Sequence, residues 1–89
     1  MDFEYDPQKS ESNKIKHGIE FEEAQELWRD GRAKQSLLSA GTETRFLLVG
    51  MIAEKHWSAI YTYRNEKSRI ISGRRSRAGE VQDYGEDNG

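Results

Sequence analysis

The sequence of 89 residues contains no cysteine, a single proline and no long hydrophobic run. The absence of cysteine excludes disulfide bonds and thiolate metal sites, and it fits a reducing cytoplasm. No apolar stretch approaches the roughly 18 residues that a transmembrane helix needs, and the acidic start Met1-Asp2-Phe3-Glu4 is unlike a secretory signal. We therefore expect a cytoplasmic protein without membrane association.

The sequence is also poor in apolar residues, which make up 34% of the chain against 34% charged residues. This composition predicts a thin core, and a domain of this size often gains stability from a partner or a second copy. The length favours one domain. We expect it to span residues 1–84, followed by a flexible tail at 85–89.

The net charge of −2 conceals a separation of charge along the chain. Residues 1–30 contain nine acidic and four basic residues, whereas residues 64–77 contain six basic residues and one acidic residue. Such a chain can bind a polyanion with one part of its surface and a basic partner with another. The whole-chain charge argues against general coating of nucleic acid, but it is compatible with one focused site.

The first thirty residues predict a short strand followed by two helices. Residues 3–5 alternate as a strand, and Asp6 and Pro7 are typical of an N-cap and a first helical residue. This helix should end near His17, where Gly18 suits the left-handed conformation that follows many helices. A second helix should run from about 21 to 30, because its apolar residues recur three and four positions apart.

The remainder of the chain predicts a mainly antiparallel sheet and a short C-terminal helix. A weak strand at 33–40 precedes the nearly continuous apolar segment 45–52, which is typical of a covered central strand. Alternation over 57–63 and a turn at 65–67 then lead into a strand at 68–73. With a short helix at about 77–84, these elements indicate an α+β fold of two layers.

The most informative motif is Lys16-His17-Gly18 at the end of the first helix. Cleavage of RNA without a metal needs a base for the 2′-OH, cations for the crowded phosphorane and an acid for the leaving 5′-oxygen. Histidine can act as base or acid because its reference pKa of roughly 6.5 is close to cellular pH. His17 is therefore a catalytic candidate, the alternative being that it only complements the helix dipole. Lys16 is either a phosphate contact or a solvated lysine.

Two consecutive arginines provide the cations. Arg74 and Arg75 follow each other at a strand end, so their side chains should diverge. One can then bind phosphate in bidentate fashion while the other pairs with a carboxylate such as Glu80. Arg64 is a further catalytic candidate, but a hairpin closed at 64–68 places it roughly 20 Å from Arg74. Either the two arginines contact different stretches of one RNA strand, or this register is wrong.

Three further side chains are candidates for RNA binding. Arg69 belongs to the same basic strand, while Trp57 and Tyr84 can stack on bases. The alternatives are that Trp57 belongs to the core and that Tyr84 packs the last helix. A metal site is not expected, because the two histidines are far apart and no carboxylates have ligand spacing. No cofactor is expected either.

The order of these residues resembles the BrnT family of toxins over about residues 3–84. The most specific part is the opening, with Phe3-Glu4-Tyr5-Asp6-Pro7, Lys9, Asn13, Lys16-His17-Gly18-Ile19 and Phe21-Glu22-Glu23-Ala24. The match continues in order through Arg45, Gly50, Tyr61-Thr62-Tyr63-Arg64, Arg69-Ile70-Ile71-Ser72, Arg74, Glu80 and Tyr84.

The resemblance implies a RelE-like ribonuclease that cuts RNA and inhibits translation as the toxin of a bacterial type II toxin–antitoxin pair. Its partner would be a BrnA-like ribbon-helix-helix antitoxin, through which the complex would reach operator DNA. A second interpretation is a catalytically weak or inactive homologue that acts as a co-repressor with its antitoxin. A plain DNA-binding regulator ranks third, because no helix is basic enough for a major groove.

Overall fold

The computed structural model describes residues 2–86, and it confirms an α+β fold with a mainly antiparallel sheet. Within these residues no helix is both long and apolar enough to cross a membrane. The elements follow the predicted order, namely β1 (Phe3–Glu4), α1 (Pro7–His17), α2 (Phe21–Ala24), a 3₁₀ segment (Gln25–Arg29), β2 (Lys34–Ser39), β3 (Arg45–Ile52), β4 (Lys55–Arg64), β5 (Lys67–Arg75) and α3 (Ala78–Glu86).

The sheet has the strand order β1-β5-β4-β3-β2. Strands β2 to β5 form an antiparallel meander, whereas β1 pairs with β5 in parallel. The connections β3–β4 and β4–β5 are tight turns in which Ala53, Glu54, Asn65 and Glu66 all have positive φ angles between 51° and 65°. Two successive positive φ angles are the mark of a type I′ hairpin turn, which matches the twist of the paired strands.

Helix α1 has the ends that the sequence predicts. The Asp6 side chain accepts a hydrogen bond from the Gln8 amide at 2.9 Å, and Pro7 begins the helix. Gly18 ends it with φ = 86°, and its amide donates to the Lys14 carbonyl at 2.9 Å. Because a side chain is strained at this φ, glycine is the favoured residue here.

The second predicted helix is shorter and tighter than expected. The α-helix is confined to Phe21–Ala24 and continues as the 3₁₀ segment, whereas the prediction was one helix over 21–30. Leu27 in this segment is fully buried, and the following Asp30 carboxylate accepts a hydrogen bond from the Met51 amide at 2.9 Å. The helical periodicity of this segment therefore does not predict its contacts with β3.

At the C-terminus, α3 continues through Glu86, whereas the predicted helix ended at 84. Residues 85 and 86, which were assigned to a flexible tail, are therefore helical. Residues 87–89 of that tail lie outside the described residues.

The core lies between one face of the sheet and the α2–3₁₀ layer. Its centre consists of the buried residues Leu27, Leu48, Ala59 and Tyr61. Trp28 packs edge-on against Tyr61 with 4.9 Å between ring centroids. The close approach of Leu27 to β3 depends on the absence of a side chain at Gly50, where a Cβ would stand 3.1 Å from Leu27 Cδ2.

Helix α1 is fixed to the sheet by polar contacts rather than by apolar packing. Its only large apolar residue, Ile15, is 88% exposed, while Asn13 is buried. The Asn13 amide nitrogen donates to the carbonyls of Ile19 (2.7 Å) and Gly73 (2.8 Å), and its Oδ1 accepts from the Gly73 amide at 3.3 Å. Asn13 thereby bonds both backbone groups of one β5 residue, as a neighbouring strand would.

Helix α3 is held against the opposite face of the sheet by one carboxylate. Glu80 accepts two hydrogen bonds of 2.9 Å from the Arg74 guanidinium, a third from the buried Ser58 hydroxyl at 2.8 Å and a fourth from the Arg77 amide at 2.9 Å. The Arg74 and Glu80 side chains are only 15% and 16% exposed. The Arg74 hydrogen bonds contribute most to lowering the pKa of Glu80, which falls to about 2.

The Asn13→Ala substitution should destabilise the protein by about 2–3 kcal/mol, because it leaves three buried backbone groups without partners. Urea unfolding monitored by tryptophan fluorescence would measure this loss. Gln8→Ala provides the matched control, since Gln8 is exposed on the same helix. Equal stability of the two variants would contradict the role assigned to Asn13.

The Arg74–Glu80 pair should make the protein sensitive to acid. The pKa of Glu80 is lower in the folded state than its ordinary value of 4.5, so its contribution is present at neutral pH and is lost as the pH falls from about 4.5 towards 2. Glu80→Gln should therefore cost about 2 kcal/mol at pH 7 and less at pH 3, as measured by urea unfolding at both values. Glu43→Gln is the control, because Glu43 pairs with arginines that are about half exposed and such pairs contribute little. The same loss at both pH values in Glu80→Gln would contradict this assignment.

Candidate active site

Four of the predicted site residues lie on the segments that adjoin where α1 ends beside β4 and β5. A Cβ placed on Gly18 would stand 3.9 Å from Cη2 of Trp57, so the turn that follows His17 lies directly against the indole ring. Trp57 is paired with Arg75 across the two strands. The end of α1, which carries Lys16 and His17, and the exposed end of β5 are thus brought to one edge of the molecule.

The Arg75 guanidinium is held in a defined position at this edge. Its Cζ lies 5.5 Å from the centroid of the Trp57 ring, and its Nε donates to the His56 carbonyl at 3.2 Å. A cation over an indole face is stabilised by about 0.5–1 kcal/mol at an exposed site. Because the guanidinium covers one face of the ring, Trp57 orients Arg75 rather than offering that face to a base.

The two consecutive arginines diverge as predicted. Arg75 is exposed, whereas Arg74 points to the opposite sheet face and is paired with Glu80, the carboxylate that the sequence suggested. The hydrogen bonds that Arg74 donates to Glu80 also raise the pKa of Arg74. Arg74 is one of the predicted catalytic residues, but in the structure its guanidinium pairs with Glu80 and so attaches α3 to the sheet.

Arg64 and Arg69 lie away from His17, at the other end of the β4–β5 hairpin. Arg64 is paired with Lys67 rather than with Ser68, so the predicted closure of the hairpin is wrong by one residue. A register shift between Ile60 and Tyr61 nevertheless pairs Ser58 with Arg74. Six residues of strand between Ser58 and Arg64 correspond to roughly 20 Å. Arg64 contacts Glu43 at 3.3 Å, and Arg69 contacts Glu4 at 3.5 Å beside β1. The structure therefore does not bring Arg64 and Arg74 into one centre.

Tyr84 belongs to the packing of α3. Its hydroxyl donates to Oδ2 of Asp30 at 2.8 Å, and its ring meets the His56 ring edge-on at 5.1 Å. Desolvation, followed by the hydrogen bond to Asp30, raises the pKa of Tyr84. Desolvation opposes ionisation of Asp30, yet hydrogen bonds from Arg32, Tyr84 and Met51 lower the pKa of this carboxyl overall. Tyr84 thus remains a protonated hydrogen-bond donor at neutral pH.

Asn13 positions the end of α1 at this edge, and no pattern in the sequence was interpreted as predicting that role. Asn13 figured only in the family resemblance, yet it ties α1 to both the Ile19 turn and β5. A signal was present, because a helix whose only large apolar residue is Ile15 needs polar contacts in order to dock. Ser10 provides a second polar contact of this kind, because its buried hydroxyl accepts a hydrogen bond from the Phe21 amide at 2.8 Å.

The arrangement combines a proton-transfer group with cations at one edge of the molecule. His17 is half-buried at a helix end, Lys16 beside it is exposed, and the Arg75 fork is fixed by Trp57. Such a set can move a proton and neutralise a phosphate. Among residues 2–86, no three side chains of the kinds that ligate metals come together as a possible ion site.

Comparison with known proteins identifies the family. No curated protein sequence matches the chain significantly. A family model described as the ribonuclease toxin BrnT of type II toxin–antitoxin systems matches residues 5–80. The matched range includes His17, Trp57, Arg75 and the Arg74–Glu80 pair, and it ends before Tyr84. The chain therefore belongs to the BrnT family of ribonuclease toxins from type II toxin–antitoxin systems.

Proposed function

We propose that the protein is a metal-independent endoribonuclease with a RelE-like fold that cleaves RNA in the cytoplasm and inhibits translation. The observation that carries this proposal is the meeting of the His17 turn with the Trp57–Arg75 pair at one exposed edge. The family supports a ribonuclease toxin with an RNA target. The geometry supports the choice of residues.

In the proposed reaction, His17 transfers one proton, solvent water exchanges the other, and the cations stabilise the phosphorane. The 2′-oxygen attacks the adjacent phosphorus while a base removes its proton, and the bond from phosphorus to the 5′-oxygen breaks as that oxygen receives a proton. His17 serves as the base or the acid. Arg75 binds the non-bridging oxygens with its fork, and Lys16 adds a second positive charge.

The remaining candidates receive supporting roles or none. Trp57 holds Arg75 in place, and Arg74 holds α3 through Glu80. Arg64, Arg69 and Tyr84 each contact a carboxylate away from this edge, so we do not assign them to the reacting centre.

The family implies an antitoxin partner. We propose a BrnA-like antitoxin that covers the basic edge and contacts operator DNA through its own ribbon-helix-helix region. Covering Arg75 and Lys16 would prevent phosphate from binding, which is sufficient to neutralise the toxin.

A second candidate function is a co-repressor without significant catalysis. It is favoured by one observation, namely that Arg64, Arg69 and Arg74 are each paired with a carboxylate. Arg75 is then the principal guanidinium that remains to bind phosphate at this edge. Both functions share the antitoxin partner, so an activity measurement separates them.

His17→Ala and Arg75→Ala should each lower RNA cleavage by about 10²–10⁴-fold, because each removes a group that acts in the transition state. The measurement is inducible expression in a bacterial host with growth curves and mapping of new RNA 5′-ends. Arg64→Ala is the matched control, since it removes an arginine at the far end of the hairpin. Growth arrest and new RNA ends that persist in both His17→Ala and Arg75→Ala would contradict the site assignment, and their absence with folded wild-type protein would favour the co-repressor.

Cleavage by the purified toxin should be unchanged in excess EDTA, because the proposed charge stabilisation comes from Arg75 and Lys16. The cleaved fragments of a labelled RNA can be quantified on a denaturing gel. A loss of cleavage that added Mg²⁺ restores would show that a metal is required.

A further inference from the structure

A groove lies between α1 and β5, and His17 is one of the residues that line it. It has a volume of about 210 Å³, and besides His17 it is lined by Lys9, Ser12, Asn13, Lys16, Ile71 and Ser72. The Asn13 amide forms its structural base, because its oxygen and nitrogen are engaged with the backbone of Gly73 and Ile19. The groove is therefore built by the same contact that docks α1.

The two lysines of this groove are not neutralised. Within residues 2–86, Lys9 and Lys16 form no ion pair, and both are exposed. Lys14 on the same helix differs, because its ammonium lies 2.8 Å from the Glu23 carboxylate. The free positive charge of α1 is thus concentrated on its groove side.

The helical spacing explains this separation. Positions 9, 12, 13 and 16 recur every three or four residues and form one stripe, whereas Glu11 is two residues from Lys9 and so about 200° around the helix. Lys9 and Lys16 are seven residues apart, or about 10 Å along the axis. A single nucleic-acid strand in the groove can therefore contact both lysines in succession.

We infer that the α1–β5 groove binds a phosphate of the RNA strand that flanks the cleaved linkage. This inference rests on the proposed ribonuclease function, because His17, the proposed catalytic residue, lines the groove. Lys9 neutralises the flanking phosphate, and the hydroxyls of Ser12 and Ser72 can donate to its oxygens. The groove thereby determines how the strand enters the site, while the reacting phosphate lies between His17 and Arg75.

The test measures the affinity of the full chain for a fluorescein-labelled mixed-sequence 12-nucleotide RNA by anisotropy, in a His17→Ala background that leaves the RNA intact. Lys9→Ala should weaken binding about 3–10-fold and should reduce the dependence of log Kd on log salt by about 0.7, the value for one phosphate contact on a single strand. Lys67→Ala is the matched control, since it removes an exposed lysine at the far end of the hairpin.

Substrate length provides a second comparison. A dinucleotide has no flanking phosphate, so cleavage of a dinucleotide by the toxin with wild-type His17 should be equally fast with and without Lys9→Ala. Cleavage of the 12-nucleotide RNA should show an increased KM in Lys9→Ala with little change in kcat.

Three outcomes would overturn the inference. Affinity for the long RNA that is the same in Lys9→Ala as in Lys67→Ala would show that the groove does not bind RNA. Weaker antitoxin binding by Lys9→Ala, with RNA affinity unchanged, would make the groove a protein interface. Absence of any RNA binding in the background protein, together with no cleavage by the wild type, would contradict the proposed function itself, and the inference with it.

Discussion

The carboxamide of Asn13 is the contact on which the geometry of the site depends. It bonds the Gly73 amide and carbonyl and the Ile19 carbonyl, so one side chain fixes a helix, a turn and a strand relative to one another. Apolar packing cannot replace it, because Ile15 points into solvent. The position of the turn after His17 against Trp57, and that of Lys9 and Lys16 in the groove between α1 and β5, follow from this docking.

Strand alternation directs the side chains of the two adjacent arginines to opposite faces of the sheet. Arg74 turns to the face covered by α3, where the bidentate contact with Glu80 is largely shielded from solvent. Arg75 turns to the other face and stacks on Trp57. The same residue type thus attaches α3 to the sheet in one position and stays exposed in the next, because the local surroundings and not the residue type determine its contacts.

Much of this fold follows from short-range rules in the sequence. The N-cap at Asp6, the helix end at Gly18 and the order of the strands depend on local patterns, and they are confirmed. The β4–β5 hairpin closes one residue earlier than predicted, and a register shift between Ile60 and Tyr61 compensates for the difference. The division of residues 21–30 into an α-helix and a 3₁₀ segment was not predicted, because it depends on contacts with β3. For the site, proximity of Trp57 to the strand end of Arg75 was predictable from register, whereas the Asn13 contact joins residues sixty positions apart and leaves no local pattern.

The strand order determines at what stage of synthesis the proposed site can form. The β3–β4 and β4–β5 hairpins close over two-residue turns and carry a small loop-closure cost, whereas β1 pairs with a strand more than sixty residues later in the chain. The proposed site needs residues from distant parts of the chain, because His17 lies at the end of α1 and Arg75 at the end of β5, the last strand. A chain in which β5 is incomplete therefore cannot bring His17 and Arg75 to one edge, so the proposed site can form only when nearly all of the chain has been synthesised and α1 has docked.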